Sequence, residues 1–166
     1  MSRPAFAIPP GPGQQSVWDY PRPPALEPVA RRVHIVFAGE VIADTTRAWR
    51  VLETSHPPTY YLHPDDLRGE FLEPAAGQSW CEWKGRARYW SVRVGQRVLP
   101  KVAWSYPEPT LAFAAIRYHL AFYAAPMDGC CVGGERALPQ PGGFYGGWIT
   151  SDLAGPFKGE PGSMGW

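Results

Sequence analysis

The chain has 166 residues, enough for one domain with extensions, and its hydrophobic content of 45% suffices for a real core. Sixteen basic residues against fifteen acidic leave a formal charge of +1, which gives no global reason to expect a polyanion such as DNA as a partner. No apolar run is long enough to span a bilayer, and the opening MSRPAFAIPPGPG lacks the continuous apolar stretch of a secretory signal.

Twenty prolines and eighteen glycines gather mainly at the two ends, so the chain divides into an arm over 1–30, a β-rich core domain over 31–126 and a tail over 127–166. In the arm, PRPP favours extended backbone, while Trp18 and Tyr20 are costly to leave in water, so residues 16–30 are expected to pack on something. VHIVFAGEVIAD reads as a β-hairpin turning at Gly39-Glu40. From Thr45 to Thr54 the apolar positions suit either a helical turn or a continued strand. TYYL predicts a strand, and PDDL, with its leading proline and acids, a short helical turn.

The run 79–94 is predicted as one alternating strand, joined through Gly95-Gln96 to a second strand over 97–106. Pro100 cannot donate to a ladder, so the second strand is expected to be an edge or to carry a bulge there. TLAFAAI suits a helical turn or two and RYHLAFYAA a last core strand. Beyond Pro126 the pattern stops, yet Phe144, Tyr145, Trp148, Phe157 and Trp166 are more aromatics than a disordered linker carries. The tail is expected to fold back, over its own domain or over a neighbouring subunit. The fold class is mainly β: compact antiparallel sheets with short helical turns and extended N- and C-terminal arms.

Between Glu82 and Glu108 six basic residues (Lys84, Arg86, Arg88, Arg93, Arg97 and Lys101) alternate with five aromatics and no acid. Such interleaving either forms a solvated face of snorkelling cations or neutralises an anion while stacking a flat ring. Period-two geometry sets Arg86, Arg88 and Trp90 on one face and Tyr89, Ser91 and Arg93 on the other. In ETSHPPTYY, Glu53 and His56 stand before a rigid Pro-Pro pair, as a hydrogen-bonded corner or as an acid–base pair. His119, in an otherwise apolar strand, reads as a satisfied core residue or as a base. Cys81 near Lys84 reads as a small buried thiol or an activated one.

Several chemistries lack their signatures. CxxC pairs, HxH and HExxH are absent, so a metal site has no support, and GxGxxG, GxxxxGK[ST] and GxSxG are absent too. Asp65-Asp66 is the single adjacent acidic pair, and its members diverge. No cofactor is implied. Cys81, Cys130 and Cys131 are odd in number and two are vicinal, which suggests no disulfide framework and points to a reducing, cytoplasmic setting.

ETSHPPTYY with PDDL, then CEWKGRARYWSV, AWSYPEP and IRYHLAFY, in that order, resemble the bacterial family of domain of unknown function 427 over roughly residues 31–125. The arm SVWDYPRPP and the Gly-rich tail also look like those of single-domain members. The resemblance implies a β-tent-like fold and brings with it the family's label of nucleotidyltransferase. The chain lacks both the zinc cysteines of β-tent relatives and the carboxylate cluster of nucleotidyl transfer.

The expected function is binding of a small planar or anionic metabolite between sheets, lined by Arg47, Glu53, His56, Tyr60, Lys84, Tyr89, Trp104 and His119. Lys84 and Arg47 would hold anionic groups, Tyr89 and Trp104 would stack, and Glu53 and His119 would fix orientation. The alternatives are a nucleotidyl- or acyl-transferase with Glu53 or His119 as catalytic base, and a homodimer built through arm or tail. Neither nucleic acid nor a membrane is expected as a partner.

Overall fold

The structure is a computed structural model that describes residues 2–166. Strand β1 (Gln15–Ser16) runs into a 3-10 turn at Val17–Asp19, and β2 (Ala25–Val29), β3 (Val33–Phe37), β4 (Glu40–Thr45), β5 (Ala48–Leu52) and β6 (Thr59–Tyr61) follow. After 3-10 turns at Pro64–Asp66 and Gly69–Phe71 come β7 (Leu72–Cys81), β8 (Gly85–Val94) and β9 (Arg97–Ser105). A 3-10 stretch over Leu111–Ile116 leads to β10 (Leu120–Phe122) and β11 (Gly129–Val132). The tail adds four short strands, β12 (Glu135–Arg136), β13 (Leu138–Pro139), β14 (Trp148–Ile149) and β15 (Leu153–Ala154).

These strands form a mainly β fold of three larger antiparallel sheets, ordered β10-β9-β8-β7, β12-β11-β3-β4 and β2-β5-β6. Reciprocal backbone bonds between Leu62 and Leu120, at 2.8 and 3.0 Å, stitch the end of β6 to β10. Alternation builds the main core. Val33, Ile35 and Phe37 of β3 point inward, where they meet Ile42, Leu62, Val92, Phe122 and Trp148. The buried Trp148 indole donates to the Phe122 carbonyl at 2.9 Å, so its one polar atom is satisfied. A second cluster, with Tyr61, Trp104, Tyr106, Phe113 and Ile116, packs beside it and underlies the cleft described below.

Three local outcomes differ from the sequence reading or close one of its alternatives. The run 79–94 is not one strand: it breaks at Glu82–Lys84, and β7 and β8 pair around that turn with Cys81 opposite Gly85. Gly85 has φ +107°, a left-handed conformation, and a Cβ there would meet the Glu108 carbonyl at 3.1 Å. The turn is held by the loop ahead of the 3-10 stretch, where Thr110 donates from N to the Lys84 carbonyl (3.0 Å) and from Oγ1 to the Trp83 carbonyl (2.6 Å). The ambiguous stretch after Thr45 is strand β5, because β2 and β6 pair with it on both sides. Pro100 sits where β8 and β9 slip register between Trp90 and Val92, so the chain bulges there, and the Lys101 N–H turns to Ser91 Oγ at 3.1 Å.

The tail covers its own chain. β11 joins the edge of β3, and β15 lies parallel to β1. Phe6, Trp18 and Trp166 gather their rings within 5.1–5.2 Å of one another, joining arm to tail. No helix among the described residues is long and apolar enough to cross a membrane.

Candidate functional site

A cleft of about 840 Å³ opens between the β8-β9 face, the corner before β6 and the returning tail. Its walls are largely aromatic, and Tyr61, Trp83, Tyr89, Trp104, Tyr106 and Tyr145 all contribute. Strand alternation supplies part of this wall: Ala87 and Tyr89 turn toward the cleft while Arg86 and Arg88 stay in solvent. Trp90, on the side of Arg88, packs instead against the main core and donates to Ser105 Oγ at 3.0 Å.

At the floor the Trp104 indole N–H donates to the Tyr61 hydroxyl at 3.3 Å, and the Tyr61 and Tyr106 rings stand 6.2 Å apart. Burial raises both phenols above their ordinary pKa, so they are neutral donors at physiological pH. Lys84, at the end of the Glu82–Lys84 turn, reaches into this aromatic zone. Its Nζ lies 5.9 Å from the Tyr106 and Phe113 ring centroids, and its hydrogen-bond partner is the Cys81 thiol rather than a carbonyl or carboxylate oxygen. Burial works against the charge, but Tyr61, the Cys81 thiol and Glu53 more than offset it, so the pKa rises and the ammonium persists.

The polar corner is built from segments far apart in sequence. Gln140 accepts at Oε1 from the Gly147 N–H (3.0 Å) and donates from Nε2 to the Lys158 carbonyl (2.8 Å). Those two bonds fix which end of the amide is which, so the remaining N–H at 3.0 Å donates to His56 Nδ1. His56 is therefore the Nε2–H tautomer, and that nitrogen faces Glu53 Oε2 at 3.6 Å. Burial, together with the cations of Arg22, Lys158 and Lys84, lowers the His56 pKa to about 4 and keeps the ring neutral. The same Glu53 oxygen is also met by Arg22 Nη2, 3.4 Å away. His56 has no spare lone pair in this arrangement and serves as a fixed donor.

Of the expected site residues, Glu53, His56, Lys84, Tyr89 and Trp104 line this one cleft. Arg47, Tyr60 and His119 lie elsewhere. Arg47 is clamped on Asp66, with Nε to Oδ2 at 2.8 Å and a second bond at 3.1 Å, which holds that carboxyl down at about 2. Tyr60 is sealed in the main core against Trp148, with ring centroids 5.2 Å apart. His119 sits at the β10 end of the fold with Nδ1 3.0 Å from the Arg117 carbonyl and its ring 5.1 Å from that of His63.

Other lining residues went unread. Trp83 and Tyr106 belong to the aromatic and basic segment between Glu82 and Glu108 and Tyr61 to the TYYL strand, but the local pattern did not single them out as lining. Arg22, Gln140, Tyr145 and Lys158 come from arm and tail, where nothing local marks a residue as facing a cleft. No group of three or more His, Cys, Asp or Glu among the described residues is placed to hold a metal ion.

A family model described as Domain of unknown function (DUF427) matches residues 25–133, more than half of the chain. No curated protein matches it.

Proposed function

We propose that this protein, which belongs to the family of domain of unknown function 427, binds a small planar, anionic metabolite in the cleft between its sheets. One observation carries the reading: the Lys84 ammonium is held among aromatic rings with a thiol, Cys81, as its hydrogen-bond partner and no carboxylate of the described residues paired with it, inside a cleft of about 840 Å³. A thiol is a weak acceptor for a buried ammonium, and an anionic ligand supplies a stronger, charged one while its ring stacks on Tyr89. His56 and Glu53, held to each other and to Gln140 and Arg22, form a fixed polar rim beside it. The test is a thermal-shift screen of flat anionic metabolites and their neutral analogues. Stabilisation of the wild type, lost in Lys84→Met, is the expected result, and a panel that shifts nothing removes the proposal.

Transfer chemistry draws less support. Metal-dependent nucleotidyl transfer relies on converging carboxylates, and the cleft holds Glu53, already engaged by Arg22 and His56, together with the exposed Glu82. Of the two base candidates, Glu53 lines the cleft and His119 does not.

A further inference from the structure

We propose that the cleft is selective for an aromatic acid carrying a single negative charge, a flat ring with one carboxylate, over a nucleotide. The inference deepens the binding reading and rests on it. It starts from the charges that line the cleft, which are Arg22, Lys84 and Lys158 against Glu53 and Glu82.

Two of the three cations are already occupied. Arg22 donates from Nη2 to the Thr54 carbonyl at 2.9 Å and faces Glu53 at 3.4 Å. Lys158, although buried, spends its ammonium on the carbonyls of Ser163 (2.7 Å), Met164 (2.8 Å) and Trp166 (3.3 Å). A lysine ammonium has three donors, and these three acceptors saturate it. That leaves Lys84, which has the Cys81 thiol and no oxygen acceptor among the described residues, as the cation of the lining open to an anion, and the formal sum of the five charged side chains is also one positive charge.

One point charge matches one carboxylate. A phosphate monoester carries about −1.5 to −2 at neutral pH and presents three acceptor oxygens, and longer phosphate chains carry more. Sites for such groups use bidentate arginines, helix N-termini or glycine-rich nests. Here the described helical pieces are 3-10 turns of three to six residues, too short to aim a dipole, and the arginine of the lining is committed to Glu53. Because Glu82 and Glu53 also line the cleft, its net positive charge is matched by one carboxylate and exceeded by a phosphate. The remaining wall is ring surface, with the half-buried Trp83 and Tyr89 available for stacking, while Trp104 lies beneath Gly146 and Tyr123.

Isothermal titration calorimetry on the full chain tests this with benzoate, 2-naphthoate and indole-3-carboxylate, the carboxamide of each, AMP and ATP. The expected result is that at least one acid binds, its carboxamide binds at least tenfold more weakly, and AMP and ATP bind more weakly than the acid. Lys84→Met should lower acid affinity at least tenfold and Lys84→Arg should restore most of it. The acid–amide comparison on the wild type decides the matter if the Lys84→Met chain does not fold. Tighter binding of AMP or ATP than of every acid, equal binding of acid and amide, or unchanged affinity in folded Lys84→Met overturns the selectivity while leaving the cleft a binding site. Absence of heat from every compound overturns the selectivity and the binding reading together.

Discussion

The Gln140 amide donates to the Lys158 carbonyl and to His56 Nδ1 and accepts from the Gly147 N–H, all within a buried corner. Gln140→Met keeps the volume and strands these three groups, each worth about 1–3 kcal/mol when left unpaired, so a loss of several degrees in melting temperature is expected by calorimetry. NMR of the His56 ring should show its tautomer freed in the same variant. The wild-type ring makes a separate pH prediction. Its folded pKa of about 4 lies below the ordinary 6.5, so between those values the unfolded chain binds the extra proton. Stability is then complete above about pH 6.5 and is lost as pH falls toward 4, by on the order of 3 kcal/mol from this group. Chemical denaturation at pH 7 and pH 4.5 checks the sign, and His56→Phe should flatten the slope. The Glu53–His56 pair was legible in the sequence because the two stand only three positions apart. The partner that fixes the tautomer lies 84 residues further on, and no local pattern encodes such a contact.

At the scale of elements, the segment between β13 and β14 lies over the cleft with Tyr123 Oη donating to the Phe144 carbonyl at 3.0 Å. Gly146 rests on the Trp104 indole so closely that a Cβ would fall 2.1 Å from its Cη2 atom. Gly146→Ala should therefore lift this strap or push Trp104 aside, costing about 1–3 kcal/mol and weakening any ligand that uses the indole. Melting and titration on the one variant measure both effects. Strands with a clear turn residue were readable, as at Gly95-Gln96, where β8 gives way to β9. The turn at Glu82–Lys84 was not, because Ser79 to Val94 keeps a continuous strand-like composition, and the reversal is imposed by Thr110 and by the room that Gly85 leaves for the Glu108 carbonyl. Strand β5 was ambiguous for a related reason: pairing on both edges, a tertiary fact, outweighed its local pattern.

For the whole molecule, arm and tail behave as one clasp. Trp18 donates from its indole to the Pro156 carbonyl at 3.1 Å and packs on Phe6 and Trp166, while β1 and β15 run side by side. Trp18→Ala should loosen both ends together, at a cost of about 2–3 kcal/mol for a partly buried ring, with faster hydrogen exchange over 14–20 and over 152–163 alike. Faster exchange at one end alone would contradict a shared clasp. Composition made the two ends visible as Pro-rich and Gly-rich, and their aromatics forecast packing, but which surface they cover depends on the assembled sheets. The consequence reaches past stability. Gln140, Phe144, Tyr145, Gly146 and Lys158 follow the family-matched span and Arg22 precedes it, whereas Glu53, Lys84, Tyr89 and Trp104 lie within it. The basin and its cover are thus written in separate stretches of sequence, and a chain of this architecture can change what it admits by rewriting its ending while the scaffold beneath stays as it is.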